Sequence, residues 1–199
     1  MPTKTDKGTT IVQDGDPVLR SIAKPVALSD IGTKKINDII AHMVVALDRE
    51  QDGVAIAAPQ IGVPLRIFIV SRRAFTIEED LKNKEKVKTT KDVILEMQVR
   101  NMVVINPEIT KLSKKKVKVP EGCLSCRWLY GDTIRHEKTA IRAHDEKGKP
   151  FTYGGSGLIA QIFQHEVDHL NGILFVDHAT NIEEMTPEQI AEIEKNSKR

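Results

Sequence analysis

Apolar residues follow helical spacing in two parts of the chain. Behind Ser29-Asp30, which can open a helix, Ile36, Ile39, Ile40, Met43, Val44 and Leu47 form one stripe, with an end expected between Arg49 and Gly53. In the second part, Ile159, Ile162, Phe163, Glu166 and Leu170 keep the three/four step of a half-buried helix. Gly154, Gly155 and Gly157 read as loop residues ahead of it, and Asn171-Gly172 as its stop. A further C-terminal helix is expected over Pro187 to Asn196, docked through Ile190 and Ile193. Between the two main helices the pattern turns to strands. Leu65 to Val70 is β-branched and apolar, Met102 to Ile105 follows with a stop at Asn106-Pro107, and Ile134, Thr139 to His144 and Phe151 to Tyr153 mark more. Strands lying mostly between an early and a late helix predict an α+β fold. Antiparallel β-sheets pack around a central helix carrying an H-E-x-x-H motif, with one helix before them and one after.

The remaining stretches set the domain organisation. Residues 1–10 are polar and read as a flexible tail, and Ile11 to Leu19, with Gly15 and Pro17, as an irregular extended lead-in. Residues 11–199 then make a single catalytic domain. Charged residues crowd together from about 74 to 100, among them Glu78, Glu79, Asp80, Lys82 and Lys84, which predicts a solvated surface insertion with room for a short helix. The lysine run Lys114 to Lys118 reads first as a solvated strand edge guarded by lysine, with contact to an acidic surface such as ribosomal RNA as the alternative.

Composition narrows the class. The 199 residues suit one domain, 40% of them are apolar, and the net charge of +2 gives no argument for DNA or RNA as the main partner. No apolar run approaches the ~20 residues that cross a bilayer, and the first ten residues have no signal-peptide core, so a cytoplasmic protein without membrane association is expected. Two cysteines, Cys123 and Cys126, make no disulfide framework and fit a reducing compartment.

The candidate chemistry sits in Gln164-His165-Glu166-Val167-Asp168-His169. On a helix, residues four apart share a face, so His165 and His169 can hold one metal ion while Glu166 takes a proton from a water at that metal. Two histidines one turn apart are also common as ordinary core or surface residues. A third ligand is needed, and Cys123 supplies it, leaving one coordination position open as a catalytic site requires. Two other readings compete. One is a closed structural zinc site of Cys123, Cys126, His165 and His169. Its gap from Cys126 to His165 is far longer than the ~12–15 residues of small zinc modules, and in an extended segment Cys126 faces away from Cys123. The other is a zinc endopeptidase, but Phe175 stands where the extended protease motif has its third histidine. Glu183, Glu184 and Glu188 remain as acidic ligands for it, and read equally as the exposed face of a short helix.

Three blocks, Gly53-Val54-Ala55-Ile56-Ala57-Ala58-Pro59-Gln60, Glu121-Gly122-Cys123-Leu124-Ser125 and Gln164 to Gly172, together resemble the three motifs of the peptide deformylase family, in order. Asp16-Pro17-Val18-Leu19-Arg20 and the stretch from Arg135 to Gly148 resemble it too, so the likeness covers roughly residues 11 to 178.

The resemblance implies a metal held by Cys123, His165 and His169, Fe2+ in the family's usual form, with Zn2+, Ni2+ or Co2+ also accepted by such a donor set. It implies removal of the formyl group from the initiator methionine of nascent polypeptides, with release of formate. Glu166 serves as general base and acid, and the metal, the Gln60 amide and the Leu124 backbone N–H receive the developing oxyanion. Glu121 and Asp168 support the ligands, Asp168 beside one of the histidines and Glu121 against Arg135. The N-formylmethionyl peptide is expected to bind as an added strand along Gly53, Val54, Ala55 and Ile56, with Gly122 as a further substrate-binding residue and Leu158 and Ile162 lining the methionine pocket. A transient ribosome contact is a further expectation. The sequence departs from the family at Ala55, where glycine is usual, and over Cys126-Arg127-Trp128-Leu129-Tyr130 at the cleft rim.

Overall fold

The computed structural model describes residues 10–82 and 100–197. The expected tail, up to residue 9, and residues 83–99 of the expected insertion lie outside the described residues, as does the side chain of Ile193.

Among the described residues, eight strands form two antiparallel sheets. The larger has the order β1 (Ala55–Ala57), β2 (Ile67–Val70), β3 (Met102–Leu112), β6 (Lys138–His144), β7 (Pro150–Ser156). The smaller has the order β4 (Lys116–Gly122), β5 (Leu129–His136), β8 (Thr180–Glu184). Helix α1 (Lys34–Arg49) lies on one face of the large sheet and α3 (Gly157–Leu170), which carries the metal motif, on the other; α2 (Arg72–Lys82) and α4 (Pro187–Ser197) complete the helices seen. This is the α+β arrangement expected.

β2 shows why the central strand is apolar at every position. Ile67 and Ile69 pack with Met43, Leu47 and Ile56 on the α1 side. Phe68 and Val70 pack with Ile141, Phe163 and Leu170 on the α3 side. All four residues of β2 are fully buried. Burial of both faces removes the alternation that marks a half-exposed strand.

α3 sits between the two sheets because its polar positions face the small one. Gln164 pairs with the backbone of His136 in β5, accepting from its N at 2.8 Å and donating to its O at 2.9 Å. Gln161 donates to Pro120 O in β4 at 2.8 Å. The helix stops at Asn171-Gly172 as expected: Gly172 adopts φ +76°, and a side chain there would meet Arg20 O at 2.6 Å.

Several elements differ from expectation. Helix α1 opens at Lys34, because Leu28–Asp30 form a separate 3-10 turn. Pro17–Arg20 likewise form a 3-10 turn within the lead-in. β3 is not stopped at Asn106-Pro107. Asn106 takes φ +53° and its side chain brackets Val26, accepting from Val26 N at 2.8 Å and donating to Val26 O at 2.7 Å. The strand bulges there and continues, beyond the point where β2 still pairs with it, so the missing N–H of Pro107 breaks no ladder. Gly154 and Gly155 belong to β7 rather than to a loop, and Glu183 and Glu184 to strand β8 rather than to a helix.

The start of the charged segment is in part buried, with Ile77 exposed. Ala74 and Glu78 of α2 are buried. The Glu78 carboxylate accepts from Leu158 N at 2.8 Å and stands at the first turn of α3, where Ser156 makes no side-chain cap. A carboxylate at a helix N-terminus satisfies an orphan N–H and the positive end of the dipole.

Candidate metal centre

Three potential ligands converge from two elements. His165 and His169 lie one turn apart on α3, their ring centroids 4.9 Å apart. Cys123 follows directly on β4, so the edge of the small sheet delivers it to the helix. One donor atom from each of Cys123, His165 and His169 falls within 4.8 Å of the others. Cys123 Sγ is 3.1 Å from His169 Nε2. A thiolate and two imidazoles around one point, with a buried carboxylate next to them, fit a single divalent cation with an open position. Among the described residues no fourth protein ligand joins the group.

The electrostatics suit that role. Burial, with help from the charge of His165, pushes His169 well below the ordinary imidazole range, which leaves it neutral. Burial also opposes charge on His165, but its hydrogen bond with Glu121 and the charges of Glu166 and Glu121 outweigh it and raise its pKa. In the metal-free protein the Cys123 thiol is pushed up, first by its interaction with Cys126 and then by burial. Glu166 is buried with its Oε2 unpartnered among the described residues. Burial, reinforced by the charges of Glu121 and Asp168 and opposed by His165, lifts its pKa to about 7. A carboxyl group poised there can both accept and return a proton.

Behind the ligands lies a buried ion cluster. Glu121 accepts from Arg135 Nε at 2.7 Å and from Nη2 at 2.9 Å, the bidentate geometry that matches a carboxylate to a guanidinium. Asp168, expected beside a histidine, instead accepts from Arg135 Nη1 at 2.6 Å. The carboxylate that meets a histidine is Glu121, with Oε2 3.4 Å from His165 Nδ1. Burial opposes its ionisation, yet the hydrogen bonds from His165 and Arg135 hold its pKa down at about 2.

A cleft of about 200 Å³ opens on this centre. Asp52, Gly53, Val54, Ala55 and Gln60 form one wall. Glu121, Gly122, Cys123, Leu124, Arg127 and Tyr130 form the other, and Leu158, Ile162, His165 and Glu166 reach it from α3. Ile56, also expected along the substrate strand, is fully buried in the α1 cluster instead of lining the cleft. β1 is an edge strand of its sheet and β4 an edge strand of the other, so two strand edges border the cleft. The Gln60 amide is oriented by Ala57, whose N–H donates to Oε1 at 2.8 Å. Its Nε2 then faces Ser125 Oγ at 3.2 Å and Cys123 Sγ at 3.6 Å. Gly122 has no room for a side chain, since an added Cβ would lie 2.4 Å from the Tyr130 ring across the strand pair.

The segment after Cys123 is a turn, with Cys126 N donating to Cys123 O at 3.0 Å. The expectation that Cys126 faces away, which assumed an extended segment, is therefore replaced: Cys126 packs beside Cys123 in a cluster with Leu19, Leu174 and Phe175. The sequence marks Arg127 and Tyr130 only as part of a departure from the family at the cleft rim, and it does not mark Asp52. Asp52 receives two hydrogen bonds from Arg127, at 2.6 and 3.0 Å, and faces Tyr130 OH at 3.5 Å. Arg127 also donates to Glu50 at 2.7 Å. These pairs join residues about seventy-five apart and become visible only when both cleft walls are in place.

The chain is similar to known proteins. A family model described as polypeptide deformylase matches residues 9–185. Peptide deformylase 1A of Solanum lycopersicum is 36% identical over 167 residues, which is 84% of this chain but 58% of the plant protein. The peptide deformylase of Christiangramia forsetii is 33% identical over 186 residues, covering 93% of this chain and 89% of that one. A crystal structure of a peptide deformylase from Legionella pneumophila superposes with a TM-score of 0.68 at 31% identity, over 95% of this chain and 92% of that one.

Proposed function

From the chain's membership of the peptide deformylase family, shown by the match over residues 9–185, we propose that it removes the N-formyl group from the initiator methionine of new polypeptides and releases formate. The observation that carries this reading is the buried Glu166 carboxyl, whose Oε2 has no partner among the described residues, beside the Cys123/His165/His169 donor set. Residues 11–199 act as one catalytic domain in this proposal.

Cys123, His165 and His169 hold the cation, with Fe2+ as the proposed ion. When bound, it supplies acidified water and positive charge for the formyl oxygen. Glu121 orients His165 through Nδ1, and Arg135 holds Glu121 ionised for that purpose. The peptide lies along the free edge of β1, with Gly122 on the facing edge, and its methionine side chain enters the apolar pocket of Leu158 and Ile162. Asp168 keeps Arg135 in place. Glu166 takes the proton of the attacking water, and the Gln60 Nε2–H and Leu124 N–H donate to the formyl oxygen as charge builds on it. Glu166 then passes its proton to the amine nitrogen, the C–N bond breaks, and formate leaves from a free methionyl peptide.

The same reading places the protein in the cytoplasm, in transient contact with ribosomes through exposed lysines such as Lys114, Lys115, Lys116 and Lys118. No helix among the described residues is long and apolar enough to cross a membrane. The test is a comparison of formyl-Met-Ala-Ser with acetyl-Met-Ala-Ser. Cleavage of the formyl peptide alone, with no internal peptide bond broken, is the expected result. Internal cleavage returns the protein to the zinc endopeptidases.

A further inference from the structure

The turn that follows β4 carries a second cysteine for which the proposed reaction has no use. The hydrogen bond from Cys126 N to Cys123 O closes residues 123–126 into a β-turn. Such a turn holds its first and fourth Cα atoms within about 7 Å, and a disulfide spans Cα atoms about 4.4–6.8 Å apart. The two side chains pack in one cluster. Their exposures differ in a useful way. Cys123 lines the open cleft, whereas Cys126 is 4% exposed and backed by Leu19, Leu174 and Phe175. An oxidant entering the cleft therefore meets Cys123 first, with Cys126 behind it.

We propose that Cys123 and Cys126 form an oxidative modification site, at which a peroxide-class oxidant converts the pair into an intramolecular disulfide and withdraws Cys123 from the metal centre. Cys123 sulfur attacks one peroxide oxygen. The O–O bond breaks, one oxygen stays on sulfur as a sulfenic acid and the other leaves as water. Cys126 sulfur then attacks Cys123 sulfur, and the sulfenic oxygen departs with the Cys126 proton as a second water. The two thiols lose two electrons and the peroxide gains them. Cys126 is thus a resolving cysteine. Without it, a sulfenic acid at Cys123 has no neighbour to trap it and proceeds to the irreversible sulfinic and sulfonic acids. The disulfide stands apart from the deformylase reading. Only its consequence, loss of the cation, rests on that reading's assignment of Cys123 as a ligand.

The experiment treats the protein loaded with redox-inert Zn2+ with equimolar hydrogen peroxide, blocks free thiols and digests with trypsin without reductant. Both cysteines fall in one peptide, Val119 to Arg127. That peptide should become lighter by about 2 Da, a chromogenic chelator should capture the released metal, and dithiothreitol should reverse the mass change. In Cys126→Ala the same peptide should instead gain about 32 or 48 Da and stay oxidised after reductant. Direct gain of oxygen by the unaltered protein, with no lighter peptide at any dose, overturns the proposal. So does a disulfide that forms while all the metal stays bound. Because the unaltered protein alone gives both readouts, the proposal does not depend on the variant folding. A protein that forms the disulfide yet never deformylates a peptide retains this site and loses the proposed function.

Discussion

Glu121 and Arg135 meet through two parallel hydrogen bonds of 2.7 and 2.9 Å, with both side chains buried and residue 121 next but one to the candidate ligand Cys123. Removing one partner leaves the other charge without compensation. Arg135→Ala should therefore cost about 3–5 kcal/mol of stability, read by urea unfolding, while Arg135→Lys keeps charge but loses the bidentate fork and falls between. A loss below about 1 kcal/mol, typical of exposed pairs, would contradict this account of the cluster.

The depressed pKa of Glu121 gives that stability a pH window. The folded value is about 2 against an ordinary 4.5, so the contribution is complete above 4.5 and drains away as pH falls toward 2. Melting of the metal-free protein should show a gap between the unaltered chain and Glu121→Gln that narrows as pH falls from about 4.5 toward 2. A gap that widens in acid has the wrong sign.

Glu166 has the opposite sign. Its folded pKa of about 7 lies above the ordinary 4.5, so the fold favours the protonated form and loses stability as pH rises through this range. Glu166→Gln should raise the melting temperature of the metal-free protein at pH 8 and change it little at pH 4. The same variant should bind metal in full and lose about 10²–10⁴-fold in kcat. Retained turnover would remove Glu166 from the mechanism.

Arg127 ties the two cleft walls together through Asp52 and Glu50. Its role is positional, so Arg127→Ala should raise KM for formyl tripeptides several-fold and leave kcat within about two-fold, as expected when uniform binding is lost. A fall in kcat at unchanged KM would place Arg127 in the chemistry instead.

Ala55 is 8% exposed in ordinary strand pairing opposite Val70, and its methyl packs in the cluster of Phe68 and Phe163. Ala55→Gly removes a buried methyl and frees a strand backbone, at a cost of about 1–2 kcal/mol. kcat/KM should stay within a few-fold. A large rise would show that the methyl obstructs the substrate.

What could be read from the chain follows from how local each signal is. α1 and α3 were legible because each buries one stripe whose spacing lies within a few turns. The convergence of Cys123, His165 and His169 was legible because the two histidines are four residues apart and only two cysteines exist to join them. β8 was not, because Thr180 to Glu184 is exposed throughout and exists as a strand only by pairing with β5. Asn106-Pro107 misled because the stop signal is local, while the hydrogen bonds that carry β3 through it come from Val26. The bond between Cys126 N and Cys123 O turns a segment that had been read as extended. The Glu78 cap and the Asp52–Arg127 bridge join residues 80 and 75 positions apart, and no pattern along the sequence connects them.

Formate release in a single turnover tests the central claim most directly. Protein loaded with Fe2+ under argon, with metal occupancy confirmed, is mixed with less than one equivalent of formyl-Met-Ala-Ser. The account predicts one formate and one free methionyl amine for each peptide added, with Glu166→Gln releasing formate about 10²–10⁴-fold more slowly under the same conditions. A fully metallated protein that binds the peptide and releases no formate would contradict it.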